Sequence, residues 1–227
     1  YFYKMLLIKI IVQMNYFCTI MNSTKQKILN TAITLFNENG MVNVSIRDIS
    51  NEIQISPGNL TYHFKNKPSI IEAIHNQMKS RRFEILKGIS LTPSIVNINA
   101  QIQPLLDLYY EYKFFYLDLL EIHRAYPAIA EKYRIHAEQQ IDYIEAMLMY
   151  SVQSGNMTPE PSKGFYRGMS HTVWMILSFW LNQQIIRGKA DDHHKGATQA
   201  MWNLVIPHLT EKGMKNFKLA NSELTAS

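Results

Sequence analysis

The sequence predicts an all-α protein, on three observations. Apolar residues recur at helical spacing through most of the chain, helix-start and helix-stop signals punctuate these runs, and no alternating stretch of useful strand length occurs. There is no internal repeat and no low-complexity tract.

The elements follow in order. Ser23-x-x-Gln26 has the form of a capping box, and Ile28, Ala32, Leu35 and Phe36 continue a first helix that Asn39-Gly40 ends. Ser45-x-x-Asp48 opens a short second helix with Ile46, Ile49 and Ile53 as its apolar positions, and Gln54-Ile55 make a turn. Ser56 caps a third helix with Pro57 in its first position, where the missing N–H costs nothing. A fourth helix is expected over 69–87, and the composition changes across 88–94. Beyond it, 94–124 is rich in Leu and aromatics, with a break or kink expected at Pro104. Further helices are expected over 127–154, 162–187 and 192–209, closed in part by Gly155-Asn156 and Gly188. The polar stretch after Glu211 is expected to fray. These signals divide the chain into an extension (1–20), a small domain with its connecting helix (21–88), a larger helical domain (89–212) and a polar tail (213–227).

Of the 227 residues, 47% are hydrophobic and 18% charged, enough apolar material for a sizeable core and against wholesale disorder. The net charge is +5. Residues 21–88 hold nine basic against five acidic side chains, so most of that excess lies early, where a phosphate-bearing partner would suit it. The single cysteine, Cys18, cannot form an internal disulfide and fits a reducing compartment. No apolar run reaches bilayer-spanning length. Residues 1–20 are apolar with Lys4 and Lys9. We expect them to lie outside the fold, as an extension or translated upstream sequence; a signal peptide or a membrane tether are the other readings.

Two helices joined by a three-to-four-residue turn, the second short and polar outside, form a helix-turn-helix, an arrangement that reads DNA. Ile49, Ile53, Ile55 and Leu60 would hold the pair together. That leaves Pro57, Gly58, Asn59, Thr61, Tyr62 and His63 on or near the outer face. Gly58 would let the backbone approach DNA, Asn59 and Thr61 could meet base edges, and Tyr62 and His63 could donate to phosphates. Lys67 and Ser45, each at a helix start, could do the same, with Arg47 one turn in.

Four groups of residues carry a resemblance: Ala32-x-x-Leu35-Phe36-x-x-x-Gly40, Ser45-x-Arg47-Asp48-Ile49, Ile55-Ser56-x-Gly58-x-Leu60 and Tyr62-His63-Phe64-x-x-Lys67. Together they resemble the N-terminal domain of the TetR/AcrR family of bacterial transcription regulators. Residues 114–134 and 174–181 are similar to the C-terminal half of one subgroup. The resemblance implies a dimeric, non-enzymatic, cytoplasmic bacterial protein without cofactor. Its small domain would bind a palindromic operator and its larger domain a small-molecule effector. It implies DNA contacts at Ser45, Ile46, Arg47, Pro57, Gly58, Asn59, Thr61, Tyr62, His63 and Lys67. Three positions depart from the family pattern: Thr61 stands where an aromatic is usual, Ser50 where Ala is usual, and Gln54 where Gly is frequent.

In the larger domain, aromatic residues are first of all core, but some line pockets between helices. The effector-pocket candidates are Tyr109, Tyr112, Phe115, Tyr116, Leu119, His123, Trp174 and Ser178. The resemblance implies a four-helix dimer interface from the helices over 162–187 and 192–209, with Trp180, Leu181, Ile185, Trp202 and Val205 as candidates. Asp191-Asp192-His193-His194 lacks the i, i+4 histidine pair that places two ligands on one helical face, so no metal site is expected. No nucleophile elbow, phosphate-binding glycine loop or metal cluster supports an enzyme. The expected function is therefore a ligand-responsive regulator, a repressor in the first instance, with an activator or an effector-independent regulator as the alternative.

Overall fold

A computed structural model describes residues 23–91, 94–189 and 195–225. The readings of 1–20 and of Asp191-Asp192-His193-His194 lie outside them. The described residues form helices α1 (Ser23–Asn39), α2 (Ile46–Glu52), α3 (Pro57–His63), α4 (Lys67–Leu91), α5 (Ile95–Glu111), α6 (Lys113–Leu117), α7 (Leu119–Ala125), α8 (Pro127–Gln153), α9 (Phe165–Ile186), α10 (Lys195–Val205) and α11 (Glu211–Thr225). A single 3-10 turn, Ile206–His208, follows α10. The fold is all-α, as the periodicity predicts. Two compact units divide between Ala73 and Ile74, inside α4.

In the first unit, local signals set each boundary. Gly40 ends α1 at φ 77° and donates its N–H to the Phe36 carbonyl at 3.0 Å. A side chain there would be strained, which is why Asn39-Gly40 is a readable stop. Ser45 caps α2 reciprocally. Asp48 N–H donates to Ser45 Oγ at 3.2 Å, and Ser45 N–H donates back to Asp48 Oδ2 at 2.7 Å. Those bonds hold the Asp48 carboxyl below its ordinary range. Ser56 accepts from Asn59 N–H at 3.1 Å and Pro57 takes the first position of α3. Ile28, Ala32, Phe36, Ile49, Leu60 and Phe64 form the interior of this unit.

The turn between α2 and α3 carries a conformational cost. Gln54 adopts φ 57°, the left-handed region, alone among the described non-glycine residues. Gln54→Gly is expected to raise stability by about 0.5–1 kcal/mol, because the left-handed penalty exceeds the entropy glycine adds to the unfolded chain. Chemical denaturation tests this; an unchanged or lower midpoint would refute it.

From Lys67 onward the structure departs from the sequence expectations in three places. α4 begins at Lys67 and runs to Leu91, outlasting the expected 69–87 at both ends. Asn66 supplies its start, accepting from Ser69 N–H through Oδ1 at 3.0 Å. α5 passes through Pro104 without ending. The ring is exposed; its nitrogen donates no hydrogen bond and it crowds the carbonyl four residues back, a cost that does not end the helix. The interruptions fall instead at Tyr112 (φ −103°, ψ 34°) and Asp118 (φ −95°, ψ 13°), splitting the aromatic stretch into α5, α6 and α7. The expected frayed tail is α11, packed on α5. There Trp202 and Phe217 rings lie 4.7 Å apart, and Ala220 is buried. α8 and α9 pair along their length, and Arg167 of α9 reaches Asp142 at 2.6 Å and Glu145 at 2.9 Å on α8. The core of this unit gathers Ile95, Ile102, Leu106, Tyr166, Val173 and Trp202.

Candidate functional site

The DNA-reading surface is built from the inside outward. Ile49 and Leu60 have no exposed area and fix α2 and α3 relative to α1. Ser50, the departure from alanine, is also fully buried. Its hydroxyl donates to the Arg47 carbonyl at 3.0 Å, so the polar group is satisfied within the turn. With α3 anchored through Leu60, Pro57, Gly58, Asn59, Thr61 and Tyr62 are all exposed, and His63 is half-buried. Tyr62 is 86% exposed, with its ring edge-on to His63 at 5.2 Å. An aromatic left this open on a short helix is unexplained by packing. Thr61 Oγ1 donates to the Gly58 carbonyl at 3.0 Å.

On α2, Ser45 and Arg47 are exposed and Ile46 is half-buried. Asp48 is engaged by Ser45, and among the described residues no carboxylate pairs with Arg47. Lys67 behaves differently from its neighbours. Its ammonium donates to the Met41 carbonyl and lies 5.7 Å from the centre of the Phe36 ring. It therefore ties the start of α4 to the segment between α1 and α2, which a phosphate-contact reading alone does not anticipate.

The second unit encloses a cavity of about 110 Å³. Its wall is mainly aliphatic, with Leu86, Ile102, Leu105, Ile144, Met147 and Leu177 among its members. Polar groups enter at Arg82, Gln101, Tyr109, Gln140, Tyr143, Ser151 and Trp174. Arg82 Nε donates to Tyr109 Oη at 3.3 Å, and Tyr109 Oη donates to Gln140 Oε1 at 3.1 Å.

Of the eight pocket candidates, the structure brings only Tyr109 and Trp174 to this cavity. Tyr112 and Phe115 are fully buried and Tyr116 nearly so. Phe115 stacks on His75 at 5.2 Å, and burial pushes the Tyr116 phenol well up. Tyr116 and Ser178 instead meet Tyr109 at a separate void of about 20 Å³. Leu119 is half-buried and His123 exposed on α7, away from both. The interruptions at Tyr112 and Asp118 are the reason, because they re-aim the side chains of α6 and α7. Arg82, Gln140 and Tyr143 also line this cavity, and nothing local in the sequence marks which face of a long helix meets a void.

The interface candidates are also redistributed. Trp202 and Val205 lie inside the subunit's own core, so they are not available to a partner. Trp202 Nε1 donates to Asn99 Oδ1 at 2.8 Å. Trp180 packs over Gly196, where a Cβ would meet its indole at 2.4 Å. Leu181 is half-buried, and Ile185 stays exposed together with Met175 and Ile186.

Known proteins place this architecture. A family profile described as bacterial regulatory proteins of the tetR family matches residues 28–74. A second, described as TetR, bacterial transcriptional repressor, matches residues 75–217, more than half the chain. The chain belongs to the TetR family. Among TetR structures, a regulator from Marinobacter aquaeolei VT8 is 25% identical, with a TM-score of 0.78, covering 88% of this chain and 98% of that one. A regulator from Saccharomonospora viridis, in complex with choline, has a TM-score of 0.68 at 17% identity, covering 84% and 100%, and so shares the fold. The HTH-type transcriptional regulator UidR of Escherichia coli K12 is 39% identical over 77 residues, 32% of this chain and 39% of UidR. The Staphylococcus aureus (strain Newman) negative regulator IcaR, of the biofilm operon icaADBC, is 44% identical over 48 residues, 21% of this chain and 26% of IcaR. The chain thus matches about two fifths of UidR's length or less in these curated relatives. No helix among the described residues is long and apolar enough to cross a membrane.

Proposed function

We propose that this TetR-family chain is a transcriptional repressor that binds a palindromic operator as a homodimer and is released by a small molecule held in the cavity of its second unit. The observation that carries the reading is the α2–α3 surface. Arg47, Asn59, Thr61 and Tyr62 are all presented to solvent by helices whose caps and buried Leu60 leave them little freedom. Two such surfaces related by a two-fold axis would enter successive major grooves roughly 34–36 Å apart. Leu181, Ile185 and the exposed Met175 and Ile186 of α9 offer the apolar face for the partner subunit. A ligand that binds better to a dimer of the wrong spacing lowers operator affinity by the ratio of its two affinities.

Selection of binding sites from random duplex DNA by the purified protein tests the reading. An inverted repeat should emerge, and failure to enrich any sequence would overturn it. On the selected site, Arg47→Ala is expected to weaken binding and to lower the salt slope by roughly one, as loss of one phosphate contact does. An unchanged slope would remove Arg47 from the phosphate contacts. Substitutions of Asn59 or Thr61 should shift base preference instead.

A further inference from the structure

The cavity in the second unit has an asymmetric chemistry. Arg82 is the one charged residue among those that line it. Glu84, two residues on, pairs with Lys87 at 3.7 Å, and Glu111 pairs with the neighbouring Arg81. Among the described residues no carboxylate pairs with the Arg82 guanidinium, which donates from Nε to Tyr109 Oη. A second donor belongs to a lining residue: Trp174 Nε1 is buried and makes no hydrogen bond. The Gln140 carbonyl oxygen is already taken by Tyr109. The wall therefore offers one positive charge and a few neutral polar groups at isolated points of an otherwise aliphatic and aromatic surface. The groups packed near Arg82 add no negative charge to balance it. Burial, reinforced by the charge on Arg82, pushes the His136 imidazole down to about 2, and burial keeps the Tyr133 and Tyr116 phenols protonated.

We infer that the effector is an apolar monocarboxylate, its hydrocarbon body in the aliphatic cavity and its carboxylate on the Arg82 guanidinium. The inference rests on reading this cavity as the effector site. A guanidinium fork matches a carboxylate with two parallel hydrogen bonds, and such charge-assisted pairs are about twice as strong as neutral ones. A cationic ligand would place its charge beside the like charge of Arg82. A neutral ligand would leave the guanidinium without a counter-charge. A polyanion finds only one cation here, and the aliphatic remainder of the wall would desolvate its other charges without return.

Trp174 and Trp202 both line the cavity, so intrinsic fluorescence reports occupancy directly. The purified full chain is titrated with straight-chain carboxylates from hexanoate to palmitate, with the primary alcohols of matched length, and with the matched alkyltrimethylammonium ions. At the best length the carboxylate should bind about tenfold or more tightly than the alcohol, and the ammonium ion most weakly. Arg82→Gln should bring the carboxylate down to the alcohol's affinity while leaving the alcohol within about twofold. Arg82→Lys should retain part of the preference. The comparison of carboxylate with alcohol in the unsubstituted protein needs no variant to fold. Equal or tighter binding of the alcohol or the ammonium ion, no saturable binding by any member, or a preference that survives Arg82→Gln would each overturn the inference. Operator binding measured on the same preparation without ligand reports on the proposed function alone, so failure of one reading is distinguishable from failure of the other.

Discussion

Gly213→Ala is expected to destabilise the protein by about 2–3 kcal/mol, against the gain of about 1 kcal/mol that the same change brings inside an exposed helix. The reason is the docking of α11. A Cβ on Gly213 would lie 2.0 Å from the Asn156 carbonyl oxygen and 2.9 Å from its carbonyl carbon. Both are backbone atoms, so no rotamer change relieves the overlap. That carbonyl already accepts from Thr210 N–H at 3.0 Å. Around it, Thr210 Oγ1 donates to the Gly155 carbonyl at 2.7 Å, Lys212 Nζ to the Ser154 carbonyl at 2.8 Å, and Asn216 Nδ2 to Asn156 Oδ1 at 2.9 Å. The start of α11 is thus fastened to the turn after α8 by a set of bonds that must all shift if the helix moves outward. For a chain of this size the thermal midpoint should fall by roughly 5–10 °C. A midpoint that rises, as helix propensity alone demands, would refute the docking.

That helix also marks where the sequence stops being legible. Its buried positions are Gly213 and Ala220, with Met214, Asn216 and Phe217 half-buried. Its apolar residues do recur on one face, but they are few among Lys, Asn, Ser and Glu, so the segment reads as a polar tail although it packs closely. The first unit is the opposite case. Ser45 with Asp48, Ser56 with Pro57, and Gly40 are each decided within a few residues, and each caps or stops the helix it signals. Pro104 misleads because its cost depends on what its neighbours gain, which is a property of packing rather than of the dipeptide. The same holds for the cavity. The aromatic density of 105–120 is plain in the sequence, but whether a ring faces a void, the core or a partner depends on the backbone breaks at Tyr112 and Asp118, neither of which carries a side-chain cap. Arg82 was legible only as one charge among nine in the basic early part of the chain.

Acidification is the second large effect expected. His136 is 5% exposed on α8, its ring 5.4 Å from that of His75 on α4. Phe115 and Tyr133 complete the surround through their contacts with His75. Burial first, then the electrostatic influence of Arg82, His75 and Lys79, pushes the His136 imidazole from its ordinary 6.5 down to about 2. Between those values the unfolded chain takes up a proton that the folded chain refuses, so stability falls as the pH drops below the unfolded value. Each pH unit in that window costs about 1.4 kcal/mol, or ~2 kcal/mol at about pH 5. Stability above about pH 7 should not depend on this group, because both states are then neutral at His136. His136→Gln keeps a polar group of similar size that does not titrate. Denaturant unfolding of both proteins from neutral pH down to about pH 5 should therefore give curves that separate, with the unsubstituted protein losing ~2 kcal/mol more than the variant. Parallel curves would mean that His136 gains its proton inside the fold, with Arg82 and Lys79 too distant or too well solvated to oppose it.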